Sequence, residues 1–186
     1  MSLRTALYSI LTAAGIVLCG LAFAALKVDA SRSSVGIVFK QMNVPVEAKF
    51  RKFSAAVDFD SAKPETSRAS VDIDIASFDL GSPEYNQEVM KKDWFDAARF
   101  PKASFLSTSI KPLTGDKLDV AGRLTIKGKT ADVRFQLTHK KEGANEVFEG
   151  ALPIKRLAFN IGEGEWKDTD TVADEVVIKF RVVATQ

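Results

Sequence analysis

Few side chains in this chain are equipped for chemistry, and those few stand apart from one another. His139 is the single histidine. It lies beside Lys140 and Lys141 at the end of an alternating apolar run, where an imidazole reads as solvated rather than catalytic. A hydrolytic triad would have to use it, yet no nucleophile-elbow sequence accompanies it. Zinc and copper sites need several imidazole or thiolate ligands, and one histidine and one cysteine (Cys19) cannot supply them. Asp168, Asp170, Asp174 and Glu175 could in principle hold calcium, but they lack the regular ligand spacing and the glycine of a calcium loop and read as a solvated turn. Asp72 and Asp74 alternate along one face, where exposed strand charge explains them better than acid–base work. Gly162-Glu163-Gly164-Glu165 has neither the strand–loop–helix setting nor the lysine of a phosphate cradle. No catalytic constellation and no cofactor or metal requirement emerges.

The elements around these residues carry more information. Period-two alternation, the mark of strands with one wet and one buried face, dominates the chain beyond Leu26. Val35, Ile37 and Phe39 form one apolar row, Val57 and Phe59 another, and Val71, Ile73 and Ile75 a third. Leu118, Val120, Gly122, Leu124 and Ile126 alternate with polar partners, as do Val133, Phe135 and Leu137, and Val176, Ile178, Phe180 and Val182. Segments near Val44–Phe53, Ala103–Ile110 and Val147–Ile154 read as further strands. Turn residues at Ala62-Lys63-Pro64, Thr114-Gly115-Asp116, Lys127-Gly128-Lys129 and Glu142-Gly143-Ala144-Asn145 separate the rows by short connections, which favour antiparallel neighbours. One helix interrupts them. Ser82-Pro83-Glu84 predicts an N-cap, a proline in the first turn and an acid near the positive dipole end, with the helix running to about Lys92. About eight amphipathic antiparallel strands form either a sandwich or a barrel, and alternation does not choose between them.

The first 26 residues bear on where the domain works. Arg4 is the only charge before the uncharged run Thr5–Leu26, and Ala22-Phe23-Ala24 supplies an A-x-A site. This predicts a secretory signal peptide over residues 1–24, cleaved after Ala24 and followed by one domain over 25–186 in the periplasm. An uncleaved anchor is the competing reading, since about 20 apolar residues can span a bilayer, but Gly20 and the A-x-A site favour cleavage. Leu18, where lipoprotein processing needs a small residue, argues against an anchor on Cys19. Loss of Arg4 takes the 26 basic residues to 25 against 24 acidic ones, a net charge near +1. Without a basic stripe to displace counterions, nucleic acid is not an expected partner. Loss of Cys19 leaves no disulfide, so the core alone must hold the domain together.

Twelve of the 13 phenylalanines follow Ala24. They either fill a core or line a cavity, and a small residue such as Gly122 on an apolar row could leave room for a ligand.

The motifs themselves resemble those of a known family. Val28-Asp29-Ala30-Ser31-Arg32-Ser33-Ser34-Val35, Phe50-Arg51-Lys52-Phe53-Ser54 and Val57-Asp58-Phe59-Asp60 open the match. Trp94-Phe95-Asp96, Phe100-Pro101-Lys102-Ala103-Ser104-Phe105 and the hairpin Gly122-Arg123-Leu124-Thr125-Ile126-Lys127-Gly128-Lys129-Thr130 continue it, and Asn160 to Trp166 with Asp174-Glu175-Val176 close it. In order and spacing this pattern resembles the YceI-like proteins, polyisoprenoid-binding and lipocalin-like, and its tail is similar to their Gram-negative periplasmic branch. The basic Lys49 and Arg51 depart from that pattern. The resemblance implies an all-β fold: an eight-stranded antiparallel lipocalin-like barrel with one short helix. It also implies a cavity for a long isoprenoid chain of quinone or polyprenyl type, held without catalysis, and transient contact with membranes or membrane redox proteins.

Alternation then nominates cavity residues: Val35, Ile37, Phe39, Val57, Phe59, Val71, Ile73, Leu124, Phe135, Phe148 and Phe180. A one-residue slip would turn any of these strands inside out. Tyr85, Val89, Met90, Trp94 and Phe95 are the candidates for the mouth, or for a plug at one barrel end. Three other readings compete: a cavity for fatty acids or their amides, an enzyme acting on a bound lipid, and a solidly packed barrel with no ligand.

Overall fold

A computed structural model describes residues 25–185; the expected signal peptide over 1–24 and the cleavage expected after Ala24 lie outside the described residues. The strands are β1 (Lys27–Val28), β2 (Ser34–Gln41), β3 (Val44–Phe50), β4 (Phe53–Asp58), β5 (Arg68–Asp74), β6 (Phe78–Asp79), β7 (Lys102–Pro112), β8 (Lys117–Ile126), β9 (Lys129–Glu142), β10 (Asn145–Lys155) and β11 (Val172–Thr185), with one helix, α1 (Pro83–Glu88). All pairings are antiparallel, in the order β4-β5-β7-β8-β9-β10-β11-β2-β3-β6.

That order closes on itself. Its far members β3 and β4 are consecutive in the chain and separated only by Arg51 and Lys52. β3 pairs with β2, while β4 pairs with β5. The expected eight strands are therefore eight staves drawn from eleven segments: β3 and β4 form one bent stave, and β1 and β6 are two-residue additions. The bend is pinned where Arg51 N donates to Ser77 O (3.0 Å) and Asp74 N donates to Lys52 O (3.1 Å). Beyond it, β4 has passed the start of β2. There Leu26 N donates to Val57 O (2.7 Å) while β1 pairs with the end of β11, so the N-terminal segment bridges the seam.

The hairpins show why the turns fall where they do. Met42-Asn43 and Lys127-Gly128 are two-residue loops with both φ positive, the type I′ geometry whose twist matches that of the strands. These two hairpins, the β10–β11 connection and the segment between β6 and β7 lie at one end of the barrel, called here the upper end. The β4–β5, β7–β8 and β9–β10 connections lie at the lower end.

Two buried cations hold the upper end. Lys127 sends its ammonium to Lys92 O (2.7 Å), Asn160 O (2.6 Å) and the Glu163 carboxylate (2.9 Å). Arg156 is 2% exposed. Its guanidinium donates to the carbonyls of Ala173 (3.1 Å), Ile161 (2.8 Å), Gly162 (3.1 Å), Trp166 (2.7 Å) and Val172 (2.7 Å). Gly162, at φ 79, leaves this guanidinium the space a Cβ would occupy.

Apolar burial falls into an upper cluster, including Ile75, Phe78, Phe95 and Phe159, and a lower one, including Leu26, Val120, Phe148 and Val182. Phe105, Phe135 and Phe180 pack against both. Their rings meet edge to face, with centroids 5.6 Å and 5.7 Å apart. Across five neighbouring strands the order is Phe105, Gly122, Phe135, Gly150, Phe180, and each glycine makes room for a ring. The expected vacancy at Gly122 is thus corrected: the Phe105 ring occupies it, for a Cβ there would collide with that ring and lie 2.6 Å from Leu106 O.

The helix is also shorter than expected. α1 ends at Glu88, and Val89 to Phe100 continue as turns. Ser82 makes no side-chain cap bond; its hydroxyl donates to the Glu84 carboxylate (2.6 Å) instead.

Two stability predictions follow from these contacts. Gly122→Ala is expected to cost about 1–3 kcal/mol, the usual range for overpacking, read from the urea midpoint; an unchanged midpoint would mean that Phe105 moves aside freely. Arg156→Leu strips five carbonyls of their donor and is expected to cost about 3 kcal/mol or more. Hydrogen exchange should then quicken across residues 157–172 before it does in β7–β9.

Candidate ligand-binding cavity

Because each stave alternates, one row per strand turns inward, and together these rows enclose a cavity of about 270 Å³. On β8 alone its wall runs from Leu118 to Ile126, about 20 Å along the axis at about 3.3 Å per residue and a tilt near 40°. The space is long and narrow rather than round.

All eleven nominated inward residues lie on this wall: Val35, Ile37 and Phe39 on β2, Val57 and Phe59 on and after β4, Val71 and Ile73 on β5, Leu124 on β8, Phe135 on β9, Phe148 on β10 and Phe180 on β11. Alternation missed none of their faces, because each strand keeps its register against its partner through the nominated residues. The β-bulges, between Ser107 and Ser109 and between Val172 and Val176, fall outside them.

The mouth residues divide. Tyr85, Val89, Trp94 and Phe95 border the cavity, while Met90 packs against the upper cluster behind it and is not on the wall. Phe95 is a plug: it is buried, with Phe50 and Phe78 centroids at 6.3 Å and 5.8 Å. Tyr85 is 57% exposed and stands at a rim, with Met42 and Val44 exposed on the hairpin at the same end.

The expected solvated His139 is corrected. Its Nε2 lies 2.6 Å from the buried Glu146 carboxylate, and its ring stacks on Phe148 (centroids 5.0 Å, planes 24° apart) and packs 4.5 Å from Phe59. It backs the wall at the lower end, where Lys141 approaches the other Glu146 oxygen (4.0 Å). The acidic residues near the C-terminus serve local structure. Asp168 accepts from Asp170 N (2.9 Å), and Asp174 accepts from Leu157 N (3.0 Å). Among the described residues no three metal-ligating side chains converge.

Sequence reasoning also missed wall residues. Phe105, Leu118 and Val120 stand on the same alternating rows and were legible there. Arg156, Trp166 and Glu88 were not. A basic residue at a strand end reads as surface, and only the loop that folds back over it buries Arg156. That burial pulls the guanidinium below its ordinary pKa, partly offset by the Asp174 carboxylate. Glu163 moves below the usual carboxylate range, chiefly because it accepts from the Lys127 ammonium. Asp79 does so through the Gly81 amide first and Arg51 second, an ion pair of 2.5 Å beside the barrel's bend.

Comparison with known proteins places this geometry. A family model described as the YceI-like domain matches residues 26–184. A UPF0312 protein of Pseudomonas putida (strain F1) is 40% identical over 99 residues, covering 53% of this chain and 51% of that protein, and one of Pseudomonas fluorescens (strain SBW25) is 38% identical over the same lengths. The chain thus matches about half the length of these curated relatives. Among solved structures, Burkholderia cenocepacia BcnA superposes with a TM-score of 0.84 at 55% identity, covering 86% of this chain and all of that one. A polyisoprenoid-binding domain from Saccharophagus degradans superposes with a TM-score of 0.67 at 17% identity, covering 87% and 98%, a likeness of fold alone. A closed antiparallel barrel with an elongated apolar interior, matched by one family model over nearly all of its described length, belongs to the YceI-like domain family.

Proposed function

We propose that this chain is a non-enzymatic carrier that holds a long-chain isoprenoid lipid, of quinone or polyprenyl type, inside its barrel, and that it works in the periplasm after export. One observation carries the reading: an elongated apolar cavity runs through the barrel between an upper rim and a lower end backed by Phe59, Phe148 and His139. Such a space suits a chain more than a compact solute. Each methylene removed from water contributes about 0.8 kcal/mol, so a long tail binds tightly with few polar contacts. The description of the Saccharophagus degradans domain as polyisoprenoid-binding is in keeping with this cargo. Export would set the task, since an isoprenoid tail cannot cross an aqueous compartment unaided.

The direct test is native mass spectrometry of protein purified from its own periplasm, with the released small molecules fragmented. A stoichiometric quinone or polyprenyl lipid is the expected result. A fatty acid or fatty amide would change the cargo class, turnover of the bound lipid would replace the carrier with an enzyme, and an unliganded mass that persists after lipid exposure would leave a packed barrel. Phe135→Asp and Ile73→Asp place a carboxylate on the wall at two heights and are each expected to abolish lipid uptake. Full retention of lipid by either folded variant, judged by circular dichroism, would remove that residue from the binding surface.

A further inference from the structure

The polar groups of the cavity wall are unevenly distributed. The lower end is walled by Val57, Phe59, Leu118, Phe148 and Val182, with the exposed Arg68 on the wall and the mutually paired His139 and Glu146 behind it, whereas Glu88, Trp94, Arg156 and Trp166 gather at the upper end. Two of these four are already engaged. The Glu88 carboxylate is paired with Lys91 (2.5 Å). Every N–H of Arg156 that points toward the loop is given to a backbone carbonyl, five bonds in all.

Of the other two, Trp94 holds the buried donor. Its indole Nε1–H is buried and has no hydrogen-bond partner among the described residues. Buried donors are almost always paired, and this one belongs to a side chain that lines the cavity, so its missing acceptor is sought outside the described residues. Nor is the ring loosely placed. Its centroid lies 5.2 Å from that of Trp166, the Arg156 guanidinium sits 5.9 Å from it, and the segment is tied down where Lys127 binds Lys92 O. A cation against the indole face draws electron density from the ring, which strengthens the N–H as a donor. Arg156, the cation among the described wall residues of this end, is committed to carbonyls, and the Glu88 carboxylate lies nearby, so a phosphate on the wall would lack a guanidinium partner. A neutral oxygen fits it better.

We infer that Trp94 is the head-group donor of the cavity: a single-chain lipid lies with its tail toward the lower end, past the Phe105–Phe135–Phe180 belt, and a carbonyl oxygen on its head accepts the Trp94 Nε1–H. This rests on the carrier reading and adds to it a ligand orientation and a head-group chemistry. The carbonyl belongs either to a quinone ring or to an amide.

The test compares matched ligands on the full domain: an isoprenoid quinone against the isoprenoid hydrocarbon of equal tail, and a fatty amide against its parent alkane. One net hydrogen bond corresponds to a preference of about fivefold, or somewhat more where an orphan donor is satisfied. The wild-type protein should therefore favour at least one carbonyl ligand by about five- to tenfold, and whichever pair shows the preference names the source. In Trp94→Phe, which keeps a ring but lacks the donor, that ratio should fall to about twofold or less. The indole N–H resonance of Trp94, assigned by its persistence in Trp166→Phe, should move downfield with the carbonyl ligand and not with the hydrocarbon. This second readout needs no change at Trp94. A ratio that survives in Trp94→Phe, a wild type that binds both members of each pair equally, or an indole resonance that ignores the carbonyl would overturn the inference while leaving the carrier intact. Failure of the wild type to bind any of the four lipids would bring down the carrier reading itself.

Discussion

A sheet that curls round on itself must settle where its two edges meet, and here the bent stave β3–β4 makes that junction by belonging to both sides. β2 claims its first half and β5 its second. The constraint this imposes is severe, because pairing on each side fixes the register of the whole ring and any slip would turn a row of phenylalanines outward. Closure also removes the unpaired strands that an open sheet would present to other chains. The price appears beyond the bend, where β5 pairs along the whole of β4 but β2 does not reach its other edge, and Leu26 with β1 covers that seam from outside the ring order. The cavity exists because the ring is closed; its shape follows from how the interior is then filled.

That filling follows one rule at the waist and another at the upper end. At the waist, large and absent side chains alternate from strand to strand, so three phenyl rings fit beside each other where five would collide. At the upper end the chain crosses the barrel in irregular segments whose backbone groups lack sheet partners. Arg156 and Lys127 answer that shortage with eight hydrogen bonds, seven to carbonyls and one to a carboxylate. Burying an unpaired charge costs heavily, yet a guanidinium ringed by carbonyl dipoles is well solvated by the protein itself. The lower end needs less of this, since two of its three connections, β7–β8 and β9–β10, are tight hairpins.

What was legible in the sequence divides along the same line. Period-two rows placed the inward faces of β2, β5, β8, β9 and β11, because a strand of known direction leaves only two choices for each side chain. The number of staves and the antiparallel order were likewise within reach. What alternation could not show is anything decided by contact across the sequence. His139 reads as solvated from its lysine neighbours, and only the approach of Phe59 and Glu146 buries it. Gly122 reads as a vacancy, and only the pairing of β7 with β8 brings Phe105 over it. Arg156 carries no local signal at all. The helix failed differently: its start was well marked, but nothing in Val89 to Lys92 announced that tertiary contacts would bend the chain away after Glu88.

The placement of the two tryptophans has an optical consequence. They are the only ones in the chain, and their rings stand 5.2 Å apart at the same end of the cavity. The intrinsic emission of this protein therefore comes almost wholly from one spot. It reports on polarity and quenching at the upper rim while the rest of the barrel stays dark, so the molecule carries its own fluorophore beside the place where a cargo would arrive and leave.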